Sequence, residues 1–288
     1  MRFHYRPALP DWSNITTWRR LVQFSVVFFI FLIPFLNTLK IHFAKGTFYS
    51  LDIGELAMAD PIAIFQVMLA STSISAAMLA SLAIPLLLMV ILGRVWCSWA
   101  CPYYLISDGI AALRRKLGLP EHNASTMCPS RRANAFRFGF LLAGMVLVGV
   151  AGVPVLNLIL PPGILSSQAL VLVKFGYITF EMALIFALIM IELLRPRFWC
   201  RLFCPTGTCL SAFKTQRGIH ITLDPTQCTQ CGQCQSACPM GLDPRRQGHD
   251  PLCHNCGECI DVCRQSSGKS CALFFSMGTQ GRRTSSGN

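Results

Sequence analysis

Four long apolar runs, each closed off by polar or charged positions, set the frame of the chain. They fall at 21–41, 74–93, 138–160 and 175–194, each close to the roughly 20 residues that a helix needs to cross a hydrocarbon core. Pro34, Pro85 and Pro154 lie within or near the ends of three of them, and bilayer helices tolerate such breaks when neighbouring elements re-satisfy the backbone. The first run follows a basic start, but it is too long for a cleavable signal and has no small-residue cleavage site behind it. It reads as a mature anchor. Past Leu194 the aliphatic runs stop and Cys, Gln, Gly and Pro take over, with short runs of strand character at 219–223 and 272–275. The pattern predicts an α-helical membrane bundle of four transmembrane helices over 1–216. A small α+β domain follows over 217–288, its two strand runs pairing.

Charge orients this arrangement. Of the 25 Lys and Arg residues, 22 stand before the first run, between the second and third, or after the fourth, leaving Lys40, Lys45 and Lys174 on the other two connections. Basic residues are retained on the cytoplasmic side, so both termini are expected there. The net charge of +12 is then a product of topology, and no nucleic-acid recognition module accompanies it. With 53% hydrophobic and 13% charged residues, the chain is neither disordered nor of ordinary soluble composition. The longest connection on the far side, 42–73, carries Asp52, Glu55 and Asp60 and then the apolar run 61–70. That pattern suits a short helix at the membrane surface, either packing over the bundle or forming the mouth of a site for a lipid-soluble substrate.

Fifteen cysteines, an odd number and clustered, point to metal rather than a disulfide framework. Cys228, Cys231, Cys234, Cys238 and Pro239 have the spacing C-x2-C-x2-C-x3-C-P, and Cys253, Cys256, Cys259 and Cys263 repeat it with Arg264 in place of the proline. In two-cluster ferredoxins three thiolates of such a loop hold one cubane and the fourth reaches the neighbouring cluster. The expected ligand sets are therefore Cys228, Cys231, Cys234 and Cys263 for one [4Fe-4S] cluster, and Cys253, Cys256, Cys259 and Cys238 for the other. Zinc ribbons favour paired C-x2-C knuckles with longer gaps. Gly232 and Gly257 lie inside the loops, where backbone N–H groups approach sulfide.

A second cysteine motif, R-x-W-C-x3-C-P, occurs at Arg94–Pro102 and again at Arg197–Pro205, so the membrane part reads as a duplicated two-helix unit. A spacing of four places Cys97 and Cys101, or Cys200 and Cys204, on one face of a helix, with Pro102 and Pro205 marking a break or a new start. Packing the repeats together brings four thiols to one place, where they can ligate a metal or cluster, cycle as two dithiols, or pack as small buried residues. Cys128, Cys209 and Cys271 match neither spacing and read as structural. No dinucleotide or P-loop fingerprint occurs, and the six histidines lie outside the runs, so no transmembrane bis-histidine haem site is expected.

Ionisable residues inside a span are functional candidates. Glu192, near the cytoplasmic end beside Arg195, reads as a solvated salt bridge. Glu181 falls about 9 Å inside its run; it is expected either to have a raised pKa and accept a proton at a pocket shared with Asp52 and Asp60, or to be hydrogen-bonded to Thr179 or a neighbouring helix, or to stand before a span that begins later.

Together, the tryptophan-flanked C-x3-C-P pair, Asp108, the Leu51-Asp52 and Asp60-Pro61 stretches, and the tail closing on Cys256-Gly257-x-Cys259-Ile260-Asp261-Val262-Cys263 resemble the NapH/MauN family of ferredoxin-type membrane proteins. The likeness spans roughly 18–275 and is nearer the NapH branch. It implies a multi-pass protein of the bacterial inner membrane carrying a 2[4Fe-4S] ferredoxin-like domain. Its implied role is the electron-transfer component of a quinol dehydrogenase. Electrons from quinol pass, with a membrane-anchored or periplasmic ferredoxin or cytochrome partner, to a periplasmic reductase such as nitrate reductase. The alternative within related proteins is an accessory, maturation or regulatory redox factor for a respiratory metalloenzyme. Cytoplasmic clusters and a periplasmic acceptor stand about 30 Å apart across the membrane, so either a partner carries the relay or the C-x3-C-P site has a role that its residues do not reveal.

Overall fold

The structure, a computed structural model, describes residues 12–40, 44–47, 50–53, 56–71, 75–119, 130–212, 218–267 and 271–277. Glu55, Cys128, His4, His42, His122, the start of the second run at 74, the expected boundary at 217 and both termini lie outside them.

The first long helix, α1 (Ile15–Thr38), buries Arg19, Gln23 and Pro34 and turns Phe24, Phe28, Phe29, Phe31 and Phe35 outward. The other, α6 (Ser130–Ala151), buries Ala133, Arg137 and Val148 while Leu142, Val146, Leu147 and Val150 are exposed. Both are inside-out relative to a water-soluble helix, which hides its apolar stripe. Both are also long and apolar enough to cross a membrane.

The remaining helices are shorter than the apolar runs suggest, because glycine and proline end them early. The third run divides at Gly152 (φ 66°) into α6 and a single turn, α7 (Val155–Leu158). Ahead of the fourth, α8 (Pro161–Phe175) fills the connection and ends on Gly176 in the left-handed region, φ 74°, which only glycine enters freely. The following helix, α9, therefore starts at Met182 and runs to Leu194, about 20 Å at 1.5 Å per residue. In the first half, α2 (Pro61–Ser71) and α3 (Ala76–Leu92) are the counterparts of α8 and α9. A three-stranded antiparallel sheet in the order β1 (Ala44–Thr47), β2 (Ser50–Ile53), β3 (Leu56–Ala59) stands where a loop was expected.

The duplication is wider than two helices. Each half runs long helix, proline-started half-helix, apolar helix, a five-residue helix carrying the first motif cysteine, and a helix opened by the motif proline. In the first half the last two are α4 (Val95–Trp99) and α5 (Pro102–Lys116). In the second they are α10 (Phe198–Leu202) and α11 (Pro205–Ala212). The halves interlock reciprocally: α1 packs on α8 while α2 packs on α6, and α5 meets α8 as α11 meets α2. Gln66 ties the exchange. Its Nε2 donates to Asn157 Oδ1 at 2.7 Å and its Oε1 accepts the Leu156 N–H at 3.0 Å.

In the tail, β4 (His220–Leu223) pairs antiparallel with β5 (Leu273–Ser276), Ile221 facing Phe275, as the strand runs led one to expect. A single turn, α12 (Gln233–Ser236), and α13 (Glu258–Ser267) complete it. The tail is seated on the end of the helices that carries the C-x3-C-P motifs. Asp261 on α13 accepts the N–H groups of Ile15 and Thr16 at 3.0 and 2.8 Å, capping α1 from outside. The Ser98 hydroxyl donates to the His254 carbonyl at 2.8 Å, and Arg94 to that of Pro251 at 2.7 Å.

Candidate iron–sulfur sites

The two tail loops share one backbone. Gln230 and Gly232 are left-handed (φ 55° and 75°), and so are their counterparts Asn255 and Gly257 (54° and 81°). Repeated left-handed residues turn successive N–H groups toward one point, the nest geometry found around many Fe–S sites. Sequence spacing alone finds the cysteines; the non-glycine left-handed positions carry no signal in it.

Packing then interleaves the two runs. Cys259 interacts electrostatically with Cys256, Cys238 and Cys253, and beyond them with Cys234, while Cys234 faces Cys263 and Cys231. Cys228 shares with Cys234 the field of Arg245. Cys238 thus stands with Cys253, Cys256 and Cys259, and Cys263 stands beside Cys234. Cys238, Cys253, Cys256 and Cys259 wall one apolar cavity with Met240 and Leu242, and the Leu242 N–H donates to Cys238 Sγ at 3.4 Å. Burial pushes the Cys234 thiol up to about 11 and that of Cys238 to about 12, so iron must displace their protons on binding. Among the described residues no three His, Cys, Asp or Glu close on one point as ligands of a single ion. A cubane instead attaches each thiolate to a different iron. The dry walls, N–H···S bond and interleaved thiols fit that group.

The four motif cysteines are also brought together. Cys101 interacts with Cys97 and Cys204, Cys200 with Cys204 and Cys101, and Cys204 with Cys97. They do not share a helix face pairwise, as a spacing of four suggested. The chain leaves helix at Ala100 and Phe203, and Cys101 and Cys204 precede the new helices α5 and α11. Proline at the first helical position forces this restart. One apolar cluster joins this quartet to the tail: Tyr103, Cys200, Met240, Leu242 and Leu252 are among its buried residues, with Cys101, Cys204, Cys238 and Cys253 among those packed against it.

Glu181 is a correction. The fourth helix begins only after it, so Glu181 stands exposed at the helix edge, and no described contact links it to Asp52, exposed on β2, or to Asp60. The buried acid is Glu192, 1% exposed, which accepts the Ser107 hydroxyl beside Cys200. Its placement was invisible in the chain because α5 folds back over the end of α9.

The expected surface helix is also different. At the start of α2, Pro61, Ile62, Ile64 and Gln66 are buried. Asp60 caps it, Oδ1 accepting the Ile62 N–H at 2.9 Å, and its other oxygen lies 3.5 Å from the Thr206 hydroxyl, two residues past Cys204. Burial raises the Asp60 carboxyl to about 6. Its ionisation therefore opposes folding: the stability it lends is full below about pH 4 and is lost as pH rises through 6. Asp60→Asn, which keeps the cap, should be more stable than the parent protein at pH 8 by at most about 3 kcal/mol. The gap should narrow as pH is lowered through 6 in paired thermal melts.

Two stretches, 74–120 and 177–213, match a family model described as a 4Fe-4S binding domain, and 221–242 matches another of the same description. The first two stretches hold the two C-x3-C-P motifs. Among curated relatives, Ferredoxin-type protein NapH of Haemophilus influenzae is 27% identical over 270 residues, 89% of each chain. NapH of Escherichia coli is 25% identical over 260 residues, 86% of this chain and 85% of that one. Methylamine utilization ferredoxin-type protein MauN of Methylorubrum extorquens is 27% identical over 211 residues, 71% of this chain and 69% of its own. No solved structure matches. The family resemblance seen in the motifs is borne out over most of the chain.

Proposed function

We propose that this relative of the NapH and MauN ferredoxin-type proteins is a membrane-bound electron-transfer protein that takes electrons from quinol. It passes them, through a ferredoxin or cytochrome partner, to a periplasmic reductase such as nitrate reductase. The observation that carries the reading is the interleaving of the two tail runs. Cys228, Cys231, Cys234 and Cys263 would hold one [4Fe-4S] cluster, and Cys253, Cys256, Cys259 and Cys238 the other. Such clusters supply reversible one-electron storage. The protein's own residues supply the rest: buried walls that exclude water, N–H groups that favour thiolate, and an apolar cluster continuous from Cys200 to Cys253.

In this reading the chain crosses the membrane four times. α1 and α6 span it directly, and α3 and α9 are supplemented by the half-helices α2 and α8. Exposed apolar side chains on α3 and α9, among them Leu87, Leu88, Phe186 and Leu194, support a lipid-facing surface. Both termini and the tail lie on the cytoplasmic side with the basic residues. Each quinol gives up two electrons and two protons and leaves as quinone; the protons go to water. The test is anaerobic addition of a menadiol analogue to the detergent-purified, iron-loaded protein. Bleaching of its iron–sulfur absorbance is expected. A protein that dithionite reduces but menadiol leaves oxidised would overturn the quinol assignment.

A further inference from the structure

We propose that the Cys271 thiol, which belongs to neither tail spacing, donates a hydrogen bond to the Cys263 sulfur and thereby raises the reduction potential of the cluster assigned to Cys228, Cys231, Cys234 and Cys263. This rests on that ligand set and is independent of quinol being the donor.

The fourth cysteines of the two runs sit in different local structures. Before Cys238 the turn α12 has already closed at Ser236, Pro239 keeps helix from resuming, and the chain turns back through Gly241, φ 65°. The turn aims backbone donors at the sulfur: the Leu242 N–H lies 3.4 Å from Cys238 Sγ, and that of Met240 also bonds it. Cys263 has Arg264 where Cys238 has Pro239, and α13 runs on to Ser267. The N–H groups that follow Cys263 are therefore spent on the helix's own carbonyls. Among the described residues its sulfur lacks the backbone donors that Cys238 has.

Cys271 fills that place. Just ahead of β5, it packs with Cys263 against the apolar cluster of Ile260 and Leu273, and its thiol is hydrogen-bonded to that of Cys263. Its sulfur is held in position by the backbone: the Leu273 N–H donates to it at 3.4 Å, and the carbonyl oxygens of Leu273 and Ile260 lie 3.1 and 3.5 Å away. The Leu273 N–H occupies a lone pair, so the S–H is what Cys271 has to give. Both carbonyls are neutral acceptors, whereas an iron-bound Cys263 is a thiolate, and hydrogen bonds to charged acceptors are about twice as strong. A thiol keeps its proton at neutral pH unaided; here burial pushes Cys271 further up, against the Leu273 N–H and Arg264. A donor on a ligand sulfur favours the reduced state, in which that sulfur carries more negative charge, and hydrogen bonds to the sulfurs are among the factors that set cluster potentials. Reduction adds one electron; no bond is made or broken, and the proton stays on Cys271.

The test is a redox titration with dithionite, followed by EPR, of anaerobically purified, detergent-solubilised full-length protein. The signal in question is the one that the Cys263→Ala, Cys271→Ala double variant loses. In Cys271→Ala it should persist, with the ratio of reduced to oxidised cluster about tenfold lower at a fixed potential, a downward shift of about 59 mV for one electron. The other tail cluster should titrate as in the parent protein. Cys271→Ser, whose hydroxyl also donates, should bring the potential back toward the parent value. Parent potentials for both clusters in Cys271→Ala would overturn the proposal, and so would equal shifts in both. Loss of the signal in both Cys271→Ala and Cys271→Ser would overturn it by making Cys271 a ligand. A double variant that keeps every signal of the parent would instead overturn the ligand set, and the hydrogen bond's role with it.

Discussion

Replacing Gly248 with alanine is expected to cost the tail its fold and most of its iron. A Cβ at that position would lie 1.9 Å from the carbonyl oxygen of Ile221 and 2.9 Å from its carbonyl carbon. Both are backbone atoms of β4, so no side-chain rotation relieves the contact. The strand must move. Ile221 is 4% exposed, pairs with Phe275 across the tail's two-stranded sheet, and lines the cavity of Cys238, Cys253, Cys256 and Cys259. It also belongs to the apolar cluster that contains Cys234 and Cys259. Shifting it therefore disturbs both proposed ligand sets at once. Overpacking of a well-filled core costs about 1–3 kcal/mol where side chains can yield; with backbone on both sides the cost should exceed that range. Iron per chain in purified protein is the measurement, with Gly109→Ala as the control. A Cβ at Gly109 meets nothing within 4 Å, and alanine suits the interior of α5 better than glycine. Near-normal iron in Gly248→Ala would show that β4 can slide without loss of the sites.

The second large effect concerns how the tail is held to the helices. Arg19 is 1% exposed and joins three elements. Its guanidinium bonds Asp108 on α5 and Glu258 on α13, donates to the Cys256 carbonyl at 3.3 Å, and lies 5.4 Å from the centre of the Tyr104 ring. Arg197 shares both Asp108 and that ring, 3.9 Å from its centre. In Arg19→Met, Asp108 keeps Arg197, but Glu258 and the Cys256 carbonyl lose their buried donor. Breaking such a network by removing one partner typically costs about 3–5 kcal/mol. Glu258 keeps some solvent contact, 19%, which places the expectation near about 3 kcal/mol. Because the lost bonds lie between α1 and the second cluster loop, the tail should become protease-sensitive before the helices melt. Arg19→Lys should recover only part of the loss, since a point charge cannot bridge two carboxylates and a carbonyl as a planar fork does. Tail proteolysis at the parent rate in Arg19→Met would show that the Asp261 cap on α1 and the apolar contacts suffice.

Much of the chemistry was legible along the chain because it is local. Three cysteines of each tail loop lie within seven residues, so the spacing carries the loop, and the runs at 219–223 and 272–275 that close the tail have strand character. The C-x3-C-P repeat was equally plain, and so was its meeting at one place, since two copies of one unit pack by one rule. Apolar windows could not say where helices stop inside an apolar run. Gly152, Pro161 and Gly176 decide that, and they move the start of α9 past Glu181.

The sequence by itself determined which residues can ligate iron and which stretches repeat, because both are set by chemistry within a turn or two of the chain. Only the tertiary structure decided which charges are buried and against what. The long helix of each half lies on the half-helix of the other, α5 covers Glu192, and the tail closes over Arg19, Arg94 and Ser98. Burial of a charged group is a property of neighbours distant in sequence, so Arg94 and Arg197, identical in motif, acquire different partners. One meets a carboxylate and the other a carbonyl beside sulfur, a difference that follows from Asp108 in one half and Ser211, at the same place after its own Cys-Pro, in the other.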